Sequence, residues 1–104
     1  AHIDHCGRLP VLVKRGFAGP IYATEATCDL VEIMLRDSAK LQEADAFRIN
    51  ARRAINGEPP IEPLYTGEDA EKVLPLLRPV KYGATTDAAP GVRVRWFDAG
   101  HMLG

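Results

Sequence analysis

The run His2-Ile3-Asp4-His5-Cys6-Gly7 places three metal-capable side chains, His2, Asp4 and His5, within four residues. Imidazole and carboxylate donors suit zinc and related divalent ions. In an extended or looped segment His2 and Asp4 point to one side. His5 can swing toward the same region if a turn follows, and Gly7 permits one. One short loop can then feed two adjacent metals. Two metals about 3.5–4 Å apart share a bridging water and lower its pKa, giving a hydroxide nucleophile at neutral pH. One loop cannot fill two coordination spheres, because a catalytic zinc takes about three protein ligands plus water. The run therefore calls for ligands from elsewhere.

His101 is the obvious candidate. It lies in Ala99-Gly100-His101-Met102-Leu103-Gly104, and its flanking glycines leave room for close backbone approach. Each motif alone has an ordinary reading. H-x-D-H is short enough for a surface loop, and a single histidine is commonly structural or exposed. The chain has three histidines, however, and all lie in these two segments. Together they point to a metal site.

The stretch between them reads as alternating helices and strands. Residues 1–7 are polar with a glycine and read as a loop. Leu9, Leu12 and Val13 have helical spacing over 8–15, with Pro10 in a first turn and Gly16 as a C-terminal cap. Residues 20–23 are a short apolar strand. Thr24 or Thr27 caps the next helix, for which Leu30, Ile33, Met34 and Leu41 supply an apolar stripe. That pattern continues through Ala44, Phe47, Ile49 and Ala54, with a break expected, and ends at Asn56-Gly57. Pro59, Pro60 and Pro63 forbid regular structure. Thr66 and Asp69 resemble a capping box, with Asp in place of the usual Glu or Gln. The helix they open runs through Val73, Leu74 and Leu77, and Pro79 closes it. Residues 80–82 form a strand, and 85–91 a turn-rich loop. Residues 92–97 alternate, with Val92, Val94 and Trp96 on one face and Arg93, Arg95 and Phe97 on the other. This is a strand with one buried face, and it delivers Asp98 and His101 into a loop. The order implies an α/β fold.

The 104 residues bound the chain to one domain at most. A hydrophobic content of 46% and a charged content of 26% are ordinary for a globular chain. The net charge of -1 gives no electrostatic footprint for a dedicated nucleic-acid module. Cys6 and Cys28 form no C-x-x-C pair, so a disulfide framework is not expected and a cytoplasmic location is. No apolar run reaches the roughly 20 residues of a membrane span, and no signal peptide is evident. The chain opens without Met and carries its chemistry near both ends, which frays a site. We therefore expect an internal piece of a longer protein.

His2-Ile3-Asp4-His5-Cys6-Gly7 resembles the end of the metallo-β-lactamase superfamily signature, H-x-H-x-D-H. Ala1 would stand between its first two histidines. Ala99-Gly100-His101-Met102-Leu103-Gly104 resembles the family's next metal-binding motif. Its A-G-H-x-L-G form is typical of the RNA-processing branch, the β-CASP nucleases. Tyr22-Ala23-Thr24, the long helical stretch, Leu64-Tyr65-Thr66-Gly67-Glu68-Asp69 and Arg78-Pro79-Val80 are similar too. The resemblance thus spans residues 1–104. It implies a central fragment of a single metallo-β-lactamase domain, part of an αββα sandwich with helices packed on a few strands. It implies two zinc ions per intact site. His2 and His101 would bind the first, Asp4 and His5 the second. Asp4 would also act in catalysis by orienting the bridging hydroxide. An upstream His, a downstream bridging Asp and a final His would complete the set, and a later cap would supply the general acid.

The implied reaction is hydrolysis of RNA phosphodiester bonds, in RNA processing or decay, with RNA as partner of the full-length protein. No membrane partner is expected, and homo-oligomerisation stays open. The isolated piece is expected to be inactive. Two alternatives stand beside this reading: a small ester or thioester hydrolase of glyoxalase-II type, and a non-catalytic RNA-processing subunit.

Other residues have plainer readings beside functional ones. Cys6 reads as a small buried hydrophobe rather than a ligand. Asp98 is either a second partner to a ligand imidazole or a strand-end turn residue. Arg48, Arg52 and Arg53 are a solvated helix face or a contact for an RNA backbone. Trp96 reads as a core aromatic and Met34 as part of a core stripe.

Overall fold

The first residues wind rather than loop. In this computed structural model, which describes residues 1–104, Ile3–Cys6 forms a single helical turn, α1. The His2 carbonyl accepts from the His5 and Cys6 amides at 3.0 and 3.2 Å. Winding also turns Cys6 into the core, where it is buried. Helix α2, Leu9–Lys14, follows as expected, with buried Pro10 in its first turn and Gly16 at a φ of 99° just past its end.

Strand β1, Ile21–Thr24, leads directly into helix α3, Glu25–Ile55. Thr24 is the N-cap, its side-chain oxygen accepting from the Thr27 amide. The break expected inside this helix is absent: α3 runs unbroken for 31 residues. Residues 25–55 contain no Gly or Pro, so no position forces an interruption. The apolar stripe is also displaced from the one expected. Val31, Leu35, Ala39 and Ala46 are the buried residues of α3, whereas Ile33 and Leu41 are 65% and 61% exposed. Met34 alone of the expected set packs partly against the core. Ala39 supplies the reason. With no side chain beyond Cβ, it lets neighbouring segments approach, so the Val31, Leu35, Ala39 ridge at four-residue spacing faces inward.

The proline-rich segment after α3 has no regular structure, as expected. Helix α4, Gly67–Glu71, opens on a complete capping box between Thr66 and Asp69. It does not continue to Leu77. Pro75, lacking an amide, converts the chain to a 3-10 turn over Leu74–Leu76. Strand β2 then begins at Leu77 and ends at Val80, earlier than the strand expected over 80–82. It pairs in parallel with β1, with Ile21 opposite Leu77 and Thr24 opposite Val80.

The expected loop over 85–91 is largely a strand. Strand β3, Thr85–Ala89, pairs antiparallel with β4, Val92–Arg95. Pro90 and Gly91 form the turn, and Gly91 has a φ of 76°, as a Pro-Gly type II turn requires. The buried face expected over 92–97 is only partly formed: β4 stops at Arg95, Val94 and Trp96 are half-buried and Val92 is exposed, and Trp96 is not among the core residues. The architecture is α/β, with α3 packed on the β1–β2 sheet and β3 and β4 forming a separate two-stranded sheet. The core gathers Cys6, Val31, Leu35, Ala39, Tyr65, Ala70 and Val73, placing α1 and α3 side by side beneath the histidines.

Candidate metal centre

His2 precedes α1 in extended conformation, with φ -100° and ψ 147°. Because the next residues are helical, His2 and His5 fall three apart along a turn and share a side. Strand alternation, which would have paired His2 with Asp4, does not apply. The His2 and His5 ring centroids are 6.5 Å apart. Asp4 lies beside His5, with Oδ2 3.6 Å from Nε2, and both side chains are about three-quarters exposed, at 75% and 76%.

His101 arrives from the other end of the chain. Its ring meets His2 edge-on, at 6.3 Å between centroids and 72° between planes. The two motifs singled out in the sequence thus lie together in space, with His2 between His5 and His101. Near them the Ala1 nitrogen lies 3.2 Å from Met102 Sδ. All four expected ligands, His2, Asp4, His5 and His101, are exposed.

The donor chemistry fits zinc: three imidazoles and a carboxylate in one surface region. The spacing is looser than a formed centre. Two imidazoles on one tetrahedral zinc have centroids about 5 Å apart, from the metal–nitrogen distance and ring size. The separations here exceed that, and no three His, Cys, Asp or Glu side chains converge on one point. The side chains here with donors for a metal are His2, Asp4, His5 and His101, and all four are exposed.

Two neighbouring residues take their plainer roles. Cys6 is in the core cluster and its thiol donates to the His2 carbonyl at 3.2 Å. Burial pushes that thiol above its ordinary value, which keeps the proton on sulfur. Asp98 does not reach an imidazole; its Oδ1 accepts from the Gly100 amide at 2.8 Å, an Asx turn that shapes the approach to His101. Of the arginines, Arg48 pairs with Asp45 and Arg53 with Glu58.

One contact is invisible in the sequence. The Gly104 carbonyl accepts from the hydroxyls of Thr24 and Thr27, at 2.7 and 2.6 Å. The two threonines read only as alternative caps, and Gly104 only as a small neighbour of His101. Their separation of 80 residues for Thr24 and Gly104 left no local pattern to find.

No family model matches the chain. The chain is similar over all its residues to curated proteins that are much longer. It is 36% identical over 104 residues to a ribonuclease of Thermus thermophilus, of which it covers 20%. It is 32% identical over 104 residues to the transcription termination factor FttA of Methanococcus maripaludis, covering 14%. The FttA of Thermococcus kodakarensis is 36% identical over 105 residues, again with 14% covered. The similarity therefore runs through both histidine motifs and everything between them, and it joins the chain to proteins named for RNA cleavage and for transcription termination.

Proposed function

We propose that the chain is part of a zinc-dependent ribonuclease of the metallo-β-lactamase superfamily, β-CASP branch, acting in RNA processing, decay or termination. The observation that carries this is the meeting of His2 and His101, 6.3 Å apart, in a chain similar throughout to a ribonuclease and to termination factors. In this reading the chain is the centre of a metallo-β-lactamase domain, whose two small sheets belong to a larger αββα sandwich. RNA is the substrate of the whole protein, and the cytoplasm its location. No helix here is long and apolar enough to cross a membrane.

His2 and His101 would hold one zinc, and Asp4 and His5 the second. Zinc, when bound, would acidify a water and offset charge on the phosphoryl oxygens. The protein's own contribution is placement. In this reading the α1 turn sets His2 and His5 on one side, and the Asp98 turn carries His101 toward His2. Asp4 would accept a proton-bearing partner and orient it. Nothing in the chain offers a general acid for the leaving oxygen, so the isolated 104-residue chain should cleave RNA weakly or not at all.

Metal analysis of the full natural polypeptide, with an RNA cleavage assay beside it, tests the proposal. Bound zinc, and metal-dependent cleavage lost in His101→Ala, are expected. A wild-type protein without zinc would sink the enzyme reading and leave the non-catalytic subunit.

A further inference from the structure

We infer that the hydroxyls of Thr24 and Thr27 form a clamp on the Gly104 carbonyl that positions His101 for metal binding. The inference rests on the function proposed above. His101 itself is exposed, and the ring it faces is that of His2, itself exposed. Core packing therefore does not place it; the backbone on either side must. On the upstream side the Asp98 carboxylate holds the Gly100 amide at 2.8 Å. On the downstream side the hold falls on the backbone oxygen of Gly104, the last of the 104 residues.

Hydrogen-bond arithmetic makes the downstream hold specific. A threonine hydroxyl has one proton to donate. Thr24 Oγ1 accepts from the Thr27 amide and lies 2.7 Å from the Gly104 oxygen. Thr27 Oγ1 lies 2.6 Å from that oxygen. The two hydroxyl oxygens also lie 3.1 Å from each other, so Thr24, Thr27 and the Gly104 oxygen form one linked cluster in which the Thr27 proton goes to Gly104 and the Thr24 proton to Gly104 or to Thr27. Thr24 is only 3% exposed, and Thr27 and Gly104 are half-buried. The carbonyl also sits at the start of a 31-residue helix, where the positive end of the helix dipole favours an oxygen.

Gly104 is fitted to this place on steric grounds. Its φ is 77°, a region L side chains rarely adopt. A Cβ there would stand 2.4 Å from Thr27 Oγ1 and 2.8 Å from the Thr27 amide nitrogen. The second of these is rigid helix backbone and cannot move aside. The helix that fills the core thus also fixes the loop that carries a metal ligand, and Thr24 and Thr27 are positioning residues rather than ligands.

The test uses the full natural polypeptide with Thr27→Ala, Thr27→Ser and Gly104→Ala. Thr27→Ala deletes one donor, adds no bulk and suits a helix, and the N-cap at Thr24 stays intact. Hydrogen–deuterium exchange over 98–104 is measured in metal-free protein. Zinc affinity is measured by competition with a chromophoric chelator. Thr27→Ala and Gly104→Ala should speed exchange in this segment and weaken zinc about tenfold, as loss of a ligand's outer support does. Thr27→Ser should restore both. The melting temperature of Thr27→Ala should stay close to wild type, which a general loss of structure would not allow. Unchanged exchange in Thr27→Ala overturns the clamp. Faster exchange with unchanged zinc affinity overturns its positioning role. A wild type that takes no zinc sinks the proposed function and the positioning role together, while the exchange measurement still decides whether the hydroxyls hold the loop.

Discussion

Asp69 shows how one side chain ties three segments together. Its carboxylate accepts from the Thr66 amide at 3.1 Å and from the Thr66 hydroxyl, and Lys14 of α2 and Lys72 lie at 3.5 and 3.7 Å. The Thr66 amide first, and then the two lysines, hold its pKa below the ordinary 3.8. A carboxyl whose folded pKa is depressed contributes stability above its unfolded pKa. That stability is lost as pH falls from the ordinary value through the depressed one. Glu71 is likewise held below its ordinary 4.5 by Arg36. The contribution of Asp69 is therefore the difference between wild type and Asp69→Ala in urea midpoints measured from neutral pH down to pH about 3. The gap should be largest at neutral pH and close on acidification; a gap that stays constant would show that the charge is not what matters. Thr66→Ala, which removes the other half of the box, should cost about 1 kcal/mol in the same assay. The box was legible from Thr66 and Asp69 alone, because a cap is a local pattern. The nearness of His2 to His5 and His101 was legible too, because the chain has three histidines and all lie in two short motifs. The Thr27 hydroxyl on Gly104 was not, because the fold alone brings these residues together across the chain.

Helix α3 carries the core, and its two faces differ in what they tolerate. Leu35 is 0% exposed within the cluster formed with Val31, Ala39 and Tyr65. Leu35→Ala should therefore cost about 2–5 kcal/mol in urea denaturation. Ile33→Ala and Leu41→Ala, on the exposed side, should each fall within about 0.5 kcal/mol of wild type apart from helix propensity. Equal losses at Leu35 and Leu41 would mean that the stripe inferred from apolar spacing is the true core face. That stripe misled because apolar residues lie on more than one side of α3, and spacing alone does not say which side is covered. The buried side is Val31, Leu35, Ala39 and Ala46, and the small Ala39 is what admits a neighbour. Tyr65 is the neighbour admitted: it is fully buried and its hydroxyl donates to Ser38 of α3 at 2.8 Å. The hairpin of β3 and β4 was missed for a related reason. Pro90 and Gly91 mark a turn equally well inside a loop or between paired strands, and only the partner strand decides between them. Helix capping and strand alternation are written locally; pairing and helix facing are settled by what lies opposite.

The molecule as a whole is extended. Its Cα radius of gyration is 16.9 Å and its principal extents are 56 × 30 × 17 Å. A compact domain of this length has a radius of about 13 Å. Only 11 of 104 residues are buried, while Phe47, Ile55 and Phe97 are 79%, 86% and 70% exposed. Residues Asp45 to Ile55 extend α3 beyond most of the core, and Ala46 is the one buried residue among them. Small burial on folding gives a small dependence of stability on denaturant. The isolated 104-residue chain should thus unfold over a broad urea range and bind a hydrophobic dye. Small-angle scattering then separates two outcomes. A radius near 17 Å would show that the long helix persists without further cover, held by its cap at Thr24, by i,i+3 and i,i+4 ion pairs such as Arg48 with Asp45, and by the absence of Gly and Pro. A radius near 13 Å with reduced helical circular dichroism would show that the apolar face of residues 47–55 folds back on the core. In that case the straight α3, and the frame it gives to the histidine site, would depend on contacts outside these 104 residues.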